Sequence, residues 1–256
     1  MKTRRVRLII ILTAVFLFIG LLIIVDPYNL ENKKWAEDES PAQKYLNSAA
    51  KKIDEGDGLS ALWELRKAVE VDSTCYLAYY GMGVLFFKAE NYKIAIKELN
   101  NAIELNSLDP EAYFYRGYCK EKLKDYRGAE SDYTKSLNLA PSNYKVYVNR
   151  GALRDNYLED LPGALQDFNK AIELNKSESM AYYNRGLVKM RLQDGRGAIK
   201  DFNKAISINN KYAEAYYHRG VCRLVLKQKE AACFDLSKAG ELGFYEAYEI
   251  IKENCN

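Results

Sequence analysis

Apolar and polar positions follow two patterns along this chain. From Leu8 to Val25 the sequence runs through 18 uncharged, mostly apolar residues with no polar face. Further on, apolar residues return at helical spacing between short polar turns. The stretch YYNRGLVKMRLQDGRGAIKDFNKAI, from Tyr182 to Ile206, has the length of two helices and a turn, and nearly the same text occurs elsewhere in the chain.

The recurrence has a fixed period. Gly83, Gly117, Gly151, Gly186 and Gly220 are spaced 34, 34, 35 and 34 residues apart. Ala61, Ala95, Ala129, Ala164, Ala198 and Ala232 keep the same rhythm, as do Ala68, Ala102, Ser136, Ala171, Ala205 and Ala239. A 34-residue period with small residues at these places predicts stacked helix–turn–helix units. The early glycine is expected to let the two helices approach closely, with the middle alanine across from it and the third small residue against the next unit. Each hairpin has an apolar side that it cannot bury alone, so the units must stack.

On these residues the chain resembles the tetratricopeptide-repeat family. The resemblance implies an all-α, right-handed superhelical solenoid of helix–turn–helix repeats. Units fall at 42–75, 76–109, 110–143, 144–178, 179–212 and 213–246, with Ala49 in the glycine place of the first. The fourth unit has one extra residue in its turn, LEDLPG from Leu158 to Gly163, which the loop is expected to absorb while both helices stay in register. Phe244 to Asn254 has helical spacing and is expected to cap the stack, within a terminal segment 244–256. In this family the first helices line a concave groove. The resemblance places Tyr80, Phe114, Tyr118, Asn149, Tyr183, Asn184, Tyr217 and His218 there, a surface suited to a peptide or partner helix. A subclass of the family grips a terminal carboxylate with lysines and asparagines; the corresponding places here hold tyrosine, phenylalanine, alanine and leucine.

The apolar run predicts a transmembrane helix that precedes the repeats. Lys2, Arg4, Arg5 and Arg7 come before it, and as a helix it rises about 27 Å, close to a bilayer core of about 30 Å. A cleaved signal peptide is the rival, but Ile24 to Tyr28 offers no small-residue cleavage site. The basic start belongs on the cytoplasmic side. Residues 1–25 are thus a signal anchor, 26–41 a linker and 42–246 the repeats; in a bacterial cell this means an inner-membrane protein with its repeats in the periplasm.

Four units carry an arginine just before the glycine (Arg116, Arg150, Arg185, Arg219) and an aspartate in the second helix (Asp132, Asp167, Asp201, Asp235). The first two units have neither, with Ser48 and Glu64, then Met82 and Glu98. This joint occurrence predicts a bidentate salt bridge, within a hairpin or to the next one. The rival is an arginine row that binds anions.

The net charge of +3 gives little support for a nucleic-acid partner. The 21 tyrosines follow the repeat. No catalytic motif occurs, and the single histidine, His218, recurs at the place of Asn149 and Asn184. Neither a cofactor nor a metal is expected. Of the 5 cysteines, Cys233 and Cys255 are candidates for a disulfide, with reduced thiols packed near the cap as the alternative. Together these features predict a membrane-anchored, non-enzymatic scaffold that binds a peptide or partner protein. A constitutive subunit of an envelope enzyme or transport complex is the alternative.

Overall fold

A computed structural model describes residues 41–255. The expected membrane-spanning segment and nearly all of the linker lie outside these residues. Among the described residues, no helix is long and apolar enough to cross a membrane.

The described chain is an all-α solenoid of thirteen helices. Six consecutive pairs are formed by α1 (Gln43–Asp54) with α2 (Gly58–Val71), α3 (Tyr76–Lys88) with α4 (Tyr92–Leu105), α5 (Pro110–Lys122) with α6 (Tyr126–Leu139), α7 (Tyr144–Tyr157) with α8 (Leu161–Leu174), α9 (Ser179–Arg191) with α10 (Gly195–Ile208), and α11 (Ala213–Val225) with α12 (Lys229–Glu241). A last short helix, α13 (Ala247–Asn254), packs on α12. Each second helix also packs on the first helix of the following pair, so the contacts are those of a stack.

Local chemistry sets the ends of these helices. The side chains of Asp57, Asn91, Asp125, Asp160 and Asp194 accept the backbone N–H three residues on, which caps α2, α4, α6, α8 and α10. Asp109, Asn143 and Glu178 cap α5, α7 and α9 by accepting the N–H two residues on. The turn inside each pair passes through a left-handed residue. It is Gly56 in the first pair, but Glu90, Lys124, Glu159, Gln193 and Lys227 in the others. The fourth turn absorbs its extra residue at the end of α7, which has 14 residues where α5 and α9 have 13. Its closing bond runs from Asp160 N–H to the Arg154 carbonyl, while the matching bond in the next pair runs from Asp194 to Lys189. Asp160 and Pro162 then start α8 in the ordinary way.

The small residues of the repeat form the tightest part of the core. Ala61, Ala95, Ala129, Ala164, Ala198 and Ala232 are fully buried, and so are Ala68, Ala102, Ala171, Ala205 and Ala239. The repeated glycine does allow close approach, but what faces it is a larger side chain than expected. A Cβ at Gly83, Gly151, Gly186 or Gly220 would come nearest to Leu99, Phe168, Phe202 or Leu236, at 2.7, 2.9, 2.6 and 2.9 Å. The middle alanines make room for this packing, and the glycine itself seats the large residue one turn further along the second helix.

Cys233 on α12 and Cys255 just after α13 are joined in a disulfide, with Cα atoms 5.7 Å apart. The reduced alternative therefore does not describe this structure. Ala247, Phe244, Ile250, Ile251 and Cys255 pack with Leu236, Ala239, Tyr216, Tyr217 and Leu224. This closes the end of the stack.

Gly186→Ala is expected to destabilise the domain by about 1–3 kcal/mol, because the Phe202 ring must move. Gly195→Ala, whose Cβ would meet nothing nearer than 3.9 Å, is the control and should not destabilise; chemical denaturation of both variants checks this. Opening the Cys233–Cys255 bond, which spans 22 residues, should cost about 3 kcal/mol on chain entropy. Thermal melts with and without reductant, repeated on Cys255→Ser, should show a reductant-dependent shift in the parent only.

Candidate binding surface

Two rows of side chains could meet a ligand: the arginines and the face of the first helices. The structure commits the arginines internally. Arg116, Arg150, Arg185 and Arg219 each donate two hydrogen bonds to an aspartate in the same hairpin: Asp132, Asp167, Asp201 and Asp235. The Nη2–Oδ1 distances are 2.7, 2.7, 2.6 and 2.6 Å. The Nε–Oδ2 distances are 2.9, 3.0, 2.9 and 2.9 Å. Nη1 of each reaches back to the preceding pair and donates to Asn100, Thr134, Asn169 or Asn203. A second cation one turn later, Lys120, Arg154, Lys189 or Arg223, sits on the same aspartate at 2.7–2.9 Å. Each guanidinium also lies over a tyrosine ring on its own helix: Tyr113, Tyr147, Tyr182 or Tyr216. Both placements left open by the sequence hold together, because one arginine closes its own hairpin and fastens it to the one before. The row is a structural clamp, which leaves the anion-binding alternative without its donors.

The eight residues placed in the groove divide into two groups. Tyr80, Phe114, Tyr118 and Asn149 are buried, Tyr80 completely. The rings of Tyr80 and Tyr118 pack on Tyr115 and Phe87, and that of Phe114 on Tyr115 and Tyr133. In this structure these four are covered by their neighbours, and the other four residues of the expected face are the more accessible ones. The three rings are covered because large rings on neighbouring helices, Tyr115, Phe87 and Tyr133, pack against them.

Tyr183, Asn184, Tyr217 and His218 remain half-buried on α9 and α11. The structure brings the three rings among them together. Tyr183 and His218 have centroids 5.8 Å apart, and Tyr217 and His218 5.0 Å. Tyr183 extends this cluster to Tyr212 at 4.8 Å and Tyr217 extends it to Phe244 at 4.6 Å. The aromatic face therefore runs from α9 across α11 to the turn before α13. Burial pushes the imidazole of His218 down to about 4, so it is neutral near pH 7 and acts as an aromatic surface with hydrogen-bonding nitrogens.

Several polar groups on these helices escaped the sequence reading. Tyr133 donates to Glu121 at 2.8 Å, and Arg191 reaches from α9 to both the carboxylate and the backbone carbonyl of Asp155 on α7. Burial raises the carboxyl groups of Glu121 and Asp155 above their ordinary range. Glu121 and Asp155 lie 34 residues apart, at one repeat position, and that recurrence was the available signal. Their partners come from another helix and could not be read from spacing. Among the described residues, no group of three or more histidine, cysteine, aspartate or glutamate side chains could hold a metal ion.

Comparison with known proteins agrees with this architecture. Residues 60–144 and residues 181–212 match two family models, each described as tetratricopeptide repeat. Both matched segments fall within the helix pairs described above, so in these segments the chain is similar to tetratricopeptide repeats. Among solved structures, YrrB, described as a TPR protein with an unusual peptide-binding site, is 23% identical with a TM-score of 0.64, covering 73% of this chain and 97% of its own. PilF of Pseudomonas aeruginosa is 18% identical with a TM-score of 0.71, covering 83% and 97%. A tetratricopeptide repeat protein from Parabacteroides merdae is 19% identical with a TM-score of 0.61, covering 84% and 99%. At these identities the likeness is one of fold. No curated protein matches the sequence significantly.

The depressed basicity of His218 predicts a pH dependence of stability. The unfolded chain takes up the proton below about pH 6.5 and the folded chain only near pH 4, so stability falls as pH drops through this window. His218→Asn, which installs the residue found at Asn149 and Asn184, removes the effect. Urea unfolding of both proteins at steps between pH 7.5 and pH 4 should show the wild type losing about 2–3 kcal/mol more than the variant. Parallel pH profiles would show the imidazole to be freely solvated.

Proposed function

We propose that this chain is a membrane-anchored, non-enzymatic scaffold that holds a peptide or partner protein against the face of its first helices, the concave face in this family. The observation that carries the reading is the half-buried ring cluster of Tyr183, Tyr217 and His218 on two adjacent repeats, with the half-buried Asn184 next to Tyr183 in the chain. Such a surface binds through shape and apolar contact, with a few hydrogen bonds for orientation. The peptide-binding site reported for YrrB is in keeping with this use of the fold. Anchoring rests on Leu8–Val25 and on the basic residues that precede it. In a bacterial cell the repeats then face the periplasm, where the Cys233–Cys255 disulfide suits an oxidising compartment.

A photo-crosslinking amino acid placed at Asn184 in the full-length chain, in native membranes, tests the binding face. The same probe at Lys200, exposed on α10, is the control. A discrete adduct from position 184 and none from position 200 is the expected outcome. Equal adducts from both positions, or none from 184, would move the binding surface elsewhere.

A further inference from the structure

Two repeat positions on the outer side of the second helices are polar almost everywhere. At the first, α4, α6, α8, α10 and α12 carry Lys93, Arg127, Pro162, Arg196 and Glu230. At the second, one turn on, they carry Lys97, Ser131, Gln166, Lys200 and Phe234. In α2 the same places hold Leu59 and Trp63, which are 84% and 56% exposed. Only the first pair thus replaces both polar residues with large apolar ones. Leu59 and Trp63 lie one helical turn apart and so share a face. The Lys67 ammonium, one turn further, sits over the Trp63 ring at 5.5 Å. An exposed leucine and tryptophan followed by a lysine make a surface with an apolar body and a cationic edge.

We infer that this face of α2 rests on the lipid headgroup region of the membrane that holds the anchor. The inference depends on the anchoring proposed above. Its geometric basis is the length of chain between the apolar run, which ends at Val25, and Gln43, where α1 begins. That segment spans at most about 60 Å when fully extended. α1 is about 18 Å long, and Leu59 follows the turn at its far end, so the whole face lies within a helix length of the tether. The first pair is therefore the part of the solenoid that the bilayer surface meets most often. Tethering makes the contact intramolecular, so a small apolar area suffices to hold it. Tryptophan is favoured at this depth because its ring is apolar and its N–H can meet water or headgroups, while lysine reaches toward lipid phosphate. The contact would orient the solenoid by its first pair.

The chain has two tryptophans, so a Trp35→Phe background makes Trp63 the sole fluorophore. The full-length protein in vesicles of phosphatidylcholine with phosphatidylglycerol is compared with vesicles whose acyl chains are brominated. The expected result is a blue-shifted Trp63 emission that loses intensity in brominated vesicles. A Leu59→Lys substitution should weaken that loss while the protein still floats with the vesicles and keeps its helical circular dichroism. Flotation without quenching overturns this inference alone and leaves the anchor standing, with a protein partner then the occupant of the face. Undiminished quenching in Leu59→Lys also overturns it. Failure to float overturns both readings.

Discussion

From α5 onward, a carboxylate held between two cations is the contact that sets how the helices pair and stack. Asp235 is fully buried and Asp167 nearly so. A buried carboxylate is costly unless its charge and lone pairs are met. Here the arginine before the glycine meets it bidentately, and a lysine or arginine one turn later meets it again. The glycine makes the geometry possible. A Cβ at Gly117 or Gly151 would sit 3.1 or 3.2 Å from the Cβ of Asp132 or Asp167, so the clamp lies where the two helices are closest. Because the same guanidinium also reaches the preceding hairpin, the angle within a pair and the angle between pairs are set together.

The first two pairs reach the same arrangement without the clamp. Met82 replaces the arginine and is buried in an apolar cluster with Leu46, Leu65 and Ala78. Apolar packing of suitable volume can take the place of a buried ion pair without loss of stability. The solenoid is therefore apolar at its start and ionic from α5 onward, and the aromatic cluster proposed for binding lies in the ionic part. There the half-buried Tyr183, Asn184, Tyr217 and His218 stand on helices fixed by Arg185 and Arg219. A binding face built on rigid helices loses little entropy when it meets a partner.

Much of this was legible in the residues because the repeat is a strong signal. Equivalent positions in five or six copies allow a residue to be judged by its counterparts. His218 could be read as a repeat position from Asn149 and Asn184, and the arginine with its aspartate from their joint presence. The groove was less legible. Tyr80, Phe114 and Tyr118 stand at positions equivalent to half-buried ones, but how far a ring is covered depends on the neighbours on adjacent helices, here Tyr115, Phe87 and Tyr133.

The sequence by itself determined the helices, their pairing and their period. Caps such as Asp125 and Asp194, the spacing of the small residues and the paired charges are local or periodic features, and each acts through neighbours at known distance along the chain. Tertiary structure decided what depends on three-dimensional distance: the arginine also fastens to the preceding hairpin, Arg191 covers Asp155, and Cys233 meets Cys255. It also decided which groove rings are buried. Burial is a sum over contacts from several helices, and no single stretch of the chain contains that sum.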